Sequence, residues 1–490
     1  MTSSPVRALF DFSAPAYFTE AEPFLTACRD AGWHCEVVFE WSGRGCDEMK
    51  ARCRALGFTV TELPDDLVYS IDEVSQPQAS PASQPPAAQA LGPRQRLYRA
   101  MQRYSPALAR LAELTVLLRR LSGLRRWGED FVRRARPNVV LFGPFNSYGR
   151  AANALFGAAK RAGIARVCMP SLPLMGEPYQ ILERFESERR GIIGPKVRTN
   201  YDLFNRVCSL LLRSWTRTNG RDGFSLFHRD PVEIIAGRLS GLNFTDGWQK
   251  PSPFFDRVFL PTPQSVRCLE TANFPMERAV MTGMPRMDAV LSSLTDQRRR
   301  EEFFRSIRLP VGAPYIVLNV EPAAEHHVAN WDDHWFNFKR TLGIASSARL
   351  PVVLSLHPLC APENYHFAEA EFGAIVSHPR NIYELVAHSV LVVSNVCSTL
   401  LPTQIFQKPT IVYDFYGVPN NVSQFFGLDR YAVCKTLDSF EKEFKEMVAS
   451  LSVRRAVEDV HLQAASRVML DEIDALLATR QDRHEHVAQV

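Results

Sequence analysis

Pro137-Asn-Val-Val-Leu-Phe-Gly143 is an apolar run bounded by proline and glycine. A helical stretch from Ala151 to Arg161 stops at Gly163, and Ile164-Ala-Arg-Val-Cys-Met-Pro170 is a second apolar run. A short β-branched run repeated after one amphipathic helix reads as strand, helix, strand, and two strands joined through a helix lie parallel. The chain opens in the same way: Ala8 to Phe12, a helical pattern from Pro23 to Ala31 closed by Gly32, His34 to Glu40, then Phe58 to Leu63. The pattern restarts after Pro310, with strands expected at Tyr315–Val320, Pro351–Leu356, Ala374–Val376, Leu391–Val393 and Thr410–Tyr413. Helices are expected between them at Trp331–Leu342, Ile382–Ala387 and Ser398–Phe406.

With 490 residues, 46% of them hydrophobic, the chain can fill two such cores. The expectation is an α/β protein of two Rossmann-like, doubly wound domains facing each other across a cleft. The first spans 1–300 with a helical insertion, the second 301–450, and a C-terminal helix and tail 451–490. Helical pattern from Phe440 to Leu477 should pack back on the first domain, leaving a frayed polar end.

A formal charge of +4 is too mild for a surface devoted to nucleic acid, and no reader motif accompanies the basic residues. The ten cysteines form no metal-ligand spacing and read as reduced thiols. Neither a signal-peptide pattern nor a membrane-length apolar run is present, so the expected location is cytoplasmic, at most on the inner face of a membrane. Residues 74–93, rich in Pro, Ser, Gln and Ala, read as a flexible loop. Residues 94–136 read as helical and carry twelve arginines against Glu113, Glu129 and Asp130. Two readings follow. The arginines with Leu97, Tyr98, Leu108, Leu117, Leu118, Leu121 and Trp127 could rest on an anionic membrane, or the apolar stripe could pack on the core beneath a solvated basic face.

The chemistry-bearing residues fall at strand ends, where an open parallel sheet binds its ligands. Ser394, Asn395, Ser398 and Thr399 lie between a strand and a helix and could cap that helix or offer donors to a diphosphate. Ser355-Leu-His-Pro358 places His357 at another strand end on the same edge, as a structural residue or a donor to phosphate. In Thr282-Gly-Met-Pro-Arg-Met-Asp288, Gly283 permits a turn and Pro285 stiffens it, ahead of Arg286 and Asp288. Glu321, with Glu325-His-His327 just beyond, follows the first strand of the second half. In the first half, Asp11, Ser13 and Glu177 are candidate bases near an acceptor hydroxyl.

These motifs, in this order, resemble the GT-B transferases, within them the CDP-glycerol glycerophosphotransferase-like and capsule-polysaccharide sugar transferases. The resemblance is carried by residues 256–415. Gly283, Pro285, Arg286 and Asp288 match a Gly-x-Pro-Arg-x-Asp turn, and His357-Pro358 a His-Pro after a strand. Ser398 with Lys408-Pro409 matches a Ser-Ser followed by Lys-Pro, Cys397 standing for the first serine. Where the family often has an acidic ribose ligand, this chain offers Gln404.

The resemblance implies transfer of a sugar or glycerol phosphate from a CDP-, CMP- or UDP-linked donor to a growing surface polysaccharide or lipid-linked glycan. The implied donor site is Arg286, Glu321, His357, Pro358, Ser394, Asn395, Ser398, Thr399 and Gln404, and the candidate catalytic residues are Glu177, Asp11 and His357. No permanently bound cofactor or metal is expected. Hydrolysing UDP-sugar 2-epimerases share the fold, but Phe142-Gly-Pro-Phe145 replaces the polar strand end expected of them. A non-catalytic GT-B scaffold binding glycans or partner enzymes is the third alternative.

Overall fold

The computed structural model describes the chain apart from residues 1–4, 13–14, 43–45, 65–66, 68, 71–104, 144–149, 171–180, 182–183, 186–187, 189–193, 221–222, 243, 245–247, 249–253, 272–273, 321, 325–328, 358–359, 378–381, 396, 398–399, 416–430, 452–463 and 490. Two compact units result. The first comprises residues 1–260, 267–282 and 469–490, and the second 261–266 and 283–468.

Among the described residues, the main sheet of the first unit has seven parallel strands: β1 Arg7–Phe12, β2 His34–Phe39, β3 Thr59–Glu62, β4 Val139–Phe142, β5 Ala165–Cys168, β6 Arg257–Leu260 and β7 Ala279–Met281. Their order is β7-β6-β5-β4-β1-β2-β3. β4 is buried along its whole length, as a strand covered on both faces must be. Its helices are α1 Pro15–Asp30, α2 Cys46–Ala55, α3 Pro106–Ala135, α4 Arg150–Arg161, α5 Leu203–Leu211 and α6 Pro231–Ser240. Helix α7, Pro263–Thr271, follows β6.

The expected start at Pro23 is corrected: the helix begins at Pro15 and carries Pro23 inside it. Burial of Phe18, Ala21, Phe24 and Leu25 against the strand side chains Phe10 and Phe12 holds it together across the proline. The irregular stretch expected at 183–250 contains α5 and α6. Of the Arg-rich segment, α3 covers 106–135; residues 94–104 and loop 74–93 lie outside the described residues.

The second unit has six parallel strands: β8 Ile316–Val320, β9 Val352–Leu356, β10 Ile375–Ser377, β11 Leu391–Asn395, β12 Thr410–Tyr413 and β13 Tyr431–Cys434. The order is β10-β9-β8-β11-β12-β13, with β13 an edge strand missing from the sequence reading. Helices α8 Asp288–Thr295, α9 Gln297–Ser306, α10 Trp331–Ser346, α11 Phe367–Phe372, α12 Ile382–His388, α13 Leu400–Ile405 and α14 Leu437–Leu451 accompany it.

The passage into this unit falls at residue 283, not near 300. The reason is packing: Met284, Met287, Val290, Phe303 and Phe304 share one core cluster with Tyr315 and Val317. The helical pattern at 440–477 is two helices, α14 and α15, the latter spanning Ala465–Gln489. Met469, Leu470, Ile473 and Leu476 of α15 join the first unit's core. Arg480 donates to the Gly163 carbonyl at 2.6 Å and pairs with Asp256 at 2.7 Å, so the expected frayed tail is helical to Gln489.

Candidate functional site

In the second unit the strand order reverses at β8, flanked by β9 and β11, and a doubly wound sheet binds ligands at the carboxyl ends of such strands. Asn319, on β8, and Ser394 and Asn395, on β11, meet at that edge. The Asn319 amide nitrogen lies 3.2 Å from Ser394 Oγ, 3.3 Å from Asn395 Oδ1 and 3.3 Å from Cys397 Sγ. Ser394 Oγ donates to the Asn395 carbonyl at 3.0 Å, and Tyr413 Oη donates to the Asn319 carbonyl at 3.1 Å.

Ser394 and Asn395 are buried and hold each other, so they form the floor of the edge. Half-buried Cys397 sits above them, its sulfur 3.5 Å from Ser394 Oγ. Half-buried His357 stands directly after β9, its carbonyl accepting from Cys360 N at 2.8 Å. Gln404 is half-buried on α13. That helix has six residues, too few for much of a macrodipole. Glu321, Pro358, Ser398 and Thr399 lie outside the described residues, as do Glu177, Ser13 and Glu325-His-His327.

The Gly283–Asp288 turn proves to be a clasp. Gly283 adopts φ +79°, which side chains rarely tolerate. The Asp288 carboxylate accepts from the N–H groups of Ala465 at 2.7 Å and Ser466 at 2.9 Å, the first residues of α15. Burial raises the Asp288 carboxyl above its ordinary range against the pull of those hydrogen bonds. Arg286 stacks over the Tyr383 ring at 5.5 Å. Lys408 precedes β12, at the opposite edge from Ser394 and Asn395, and burial lowers its ammonium to about 8.

The first unit reverses between β4 and β1, and Asp11 lies there, in register with Phe142 and Val38. Its side chain is fully buried, and neither carboxylate oxygen has a hydrogen-bond partner. Burial, with the charge of Glu40 adding, pushes its pKa well above the ordinary range. Glu40 follows β2 and accepts from the N–H groups of Arg150, of Ala151 at 3.0 Å and of Ala152 at 3.5 Å. It therefore occupies the N-terminus of α4, where a Rossmann unit would otherwise bind phosphate. Burial also raises Glu40, although those three N–H groups pull the other way.

Phe142 ends β4 against Phe156 and Phe255, with ring centroids 5.5 and 5.9 Å away. Phe142 is thus packed in an apolar cluster, and Pro144 and Phe145 of the same expected strand end lie outside the described residues. Glu40 and Asn319 are the site residues that sequence reading missed. Their signals were a carboxylate closing one apolar run and an amide inside another.

Two parallel Rossmann-like sheets with surrounding helices, one in each unit, make up the GT-B fold. Solved glycosyltransferase structures share it. The calicheamicin glycosyltransferase is 13% identical over 97% of this chain and 99% of its own, with a TM-score of 0.51. The kitacinnamycin glycosyltransferase is 13% identical over 96% of this chain and 99% of its own, also at 0.51. A UDP-GlcNAc 2-epimerase from Methanocaldococcus jannaschii is 11% identical over 96% and 100%, at 0.47. No family model and no curated protein matches the chain.

Proposed function

We propose that this protein transfers a sugar, or glycerol phosphate, from a CDP-, CMP- or UDP-linked donor to a growing surface polysaccharide or lipid-linked glycan. The observation carrying the reading is the division of labour between the two reversal points. The second unit presents His357 at its reversal point, above a buried polar floor of Asn319, Ser394 and Asn395, suited to a diphosphate. The first has filled its helix N-terminus with Glu40 and buries a carboxyl, which suits a hydroxyl acceptor.

In a sugar transfer, the acceptor hydroxyl gives its proton to a base as its oxygen bonds to the anomeric carbon. The bond from that carbon to the donor phosphate breaks, and His357 donates to the departing phosphate oxygen. Glu40 anchors α4 within the first unit. Among the fold's known chemistries, the apolar end of β4 favours transfer over epimerisation.

A donor panel with purified protein tests the proposal. Acceptor-dependent nucleotide release is expected. Sugar isomerisation without acceptor would establish epimerisation instead, and glycan binding without turnover a scaffold.

A further inference from the structure

Helix α5 wears its apolar side outward. Asn205 and Cys208 face inward and are buried, while Leu203, Val207, Leu210 and Leu211 are exposed by between 50% and 76%. Leu108 and Leu111, on the first turns of α3, are exposed as well. Arg110, between them in sequence, joins the two helices. It is buried, donates to Asp202 at 3.1 Å and to Asn205 at 3.2 Å, and stacks over Tyr201 at 5.5 Å.

Asp202 in turn caps α5, accepting from Asn205 N at 2.7 Å. The apolar face is thus held in place by a capped, pinned helix. No helix among the described residues is long and apolar enough to cross a membrane.

The exposed charge beside this face is basic, the neighbouring carboxylates Glu113, Asp202 and Asp230 being paired with Arg110. From Leu203 to Gly220 the sequence contains Arg206, Arg213 and Arg217 and no acidic residue. Arg206 and Arg213 are exposed beside the leucines, and Arg119 and Arg126 are exposed further along α3. Of the apolar residues that the sequence offered for a membrane face, Leu121 is instead buried, and Leu117 and Trp127 pack against the same core cluster.

We propose that the outward face of α5, with the start of α3, docks on an anionic phospholipid bilayer. The leucines enter the acyl boundary, and Arg206 and Arg213 meet lipid phosphates. Two copies meeting through this face would set arginine against arginine, whereas an anionic bilayer answers both its apolar and its basic parts. The inference bears on a lipid-linked acceptor but does not rest on the transfer reading, since vesicle binding requires neither donor nor turnover.

Flotation with equimolar phosphatidylcholine and phosphatidylglycerol vesicles, against phosphatidylcholine alone, tests it in the full-length protein. The wild type should float with the anionic vesicles and about tenfold less with neutral ones. The double variant Leu203→Ser with Leu211→Ser should lose about tenfold or more of its vesicle partition with its melting temperature kept. Arg206→Gln with Arg213→Gln should remove the preference for anionic lipid. A wild type that ignores anionic vesicles overturns the proposal, as does a leucine variant that floats undiminished. A wild-type dimer that the leucine variant dissociates would assign the face to a second copy instead.

Discussion

Asp11 carries a cost that the first unit's stability should reveal. Its folded pKa is raised, so the folded protein keeps a proton that the unfolded chain releases above the ordinary carboxylate range. Stability therefore falls as pH rises from that range through the folded value. Asp11→Asn should melt higher than wild type by a margin that widens as pH rises above the ordinary carboxylate range, while losing transfer activity. If Asp11 is the base, wild-type kcat/KM should also climb with pH as its proton leaves. Lys408 has the opposite sign. Its folded value of about 8 lies below the ordinary 10.5, so the unfolded chain holds the extra proton between them and stability rises with pH across that window. At neutral pH the penalty is on the order of 3 kcal/mol. Lys408→Met should melt higher at pH 7 and converge on wild type near the ordinary lysine value. The sequence made such strand-edge residues visible but not their partners: Asn319 meets Ser394 across 75 residues, a relation that only the parallel sheet creates.

Among the elements, the α3–α4 pair is closely packed, backbone against backbone. A side chain at Gly128 would bring its Cβ within 3.0 Å of the Ala154 carbonyl carbon and 3.1 Å of its Cβ. Gly128→Val should therefore cost about 1–3 kcal/mol through forced separation of the helices, measured by thermal or urea unfolding. Helix periodicity found α4 and the core of α3 because their apolar spacing is regular. It misplaced the start of α1, because proline favours first turns, and it ran α14 and α15 together, because both carry the same apolar period. At the second unit's edge, α13 is too short to hold a diphosphate by its dipole. His357, at the end of β9, is left as the principal described donor. His357→Ala should weaken nucleotide binding about tenfold to a hundredfold, seen by calorimetric titration, with the melting temperature unchanged.

For the molecule as a whole, the two sheets were legible because each strand is a short apolar run bounded by turn residues, and the helices between them force parallel order. The passage at residue 283 was not legible, because it is set by which core Met284 and Phe304 join, a tertiary fact without a local signal. Each unit has its own hydrophobic core, so scanning calorimetry should resolve two transitions. Asp11→Asn marks the first unit's transition and Lys408→Met the second's, since each substitution moves the midpoint of the unit that contains it. A ligand that binds only the folded state at a hundred times its Kd stabilises that state by about 2.7 kcal/mol. If the donor nucleotide sits at the edge formed by β8, β9 and β11, then UDP or CDP should raise the transition that Lys408→Met marks and leave the other in place, and His357→Ala should abolish that rise. A nucleotide that instead raises the transition marked by Asp11→Asn would move the donor to the first unit, despite the carboxylate already seated at the N-terminus of α4.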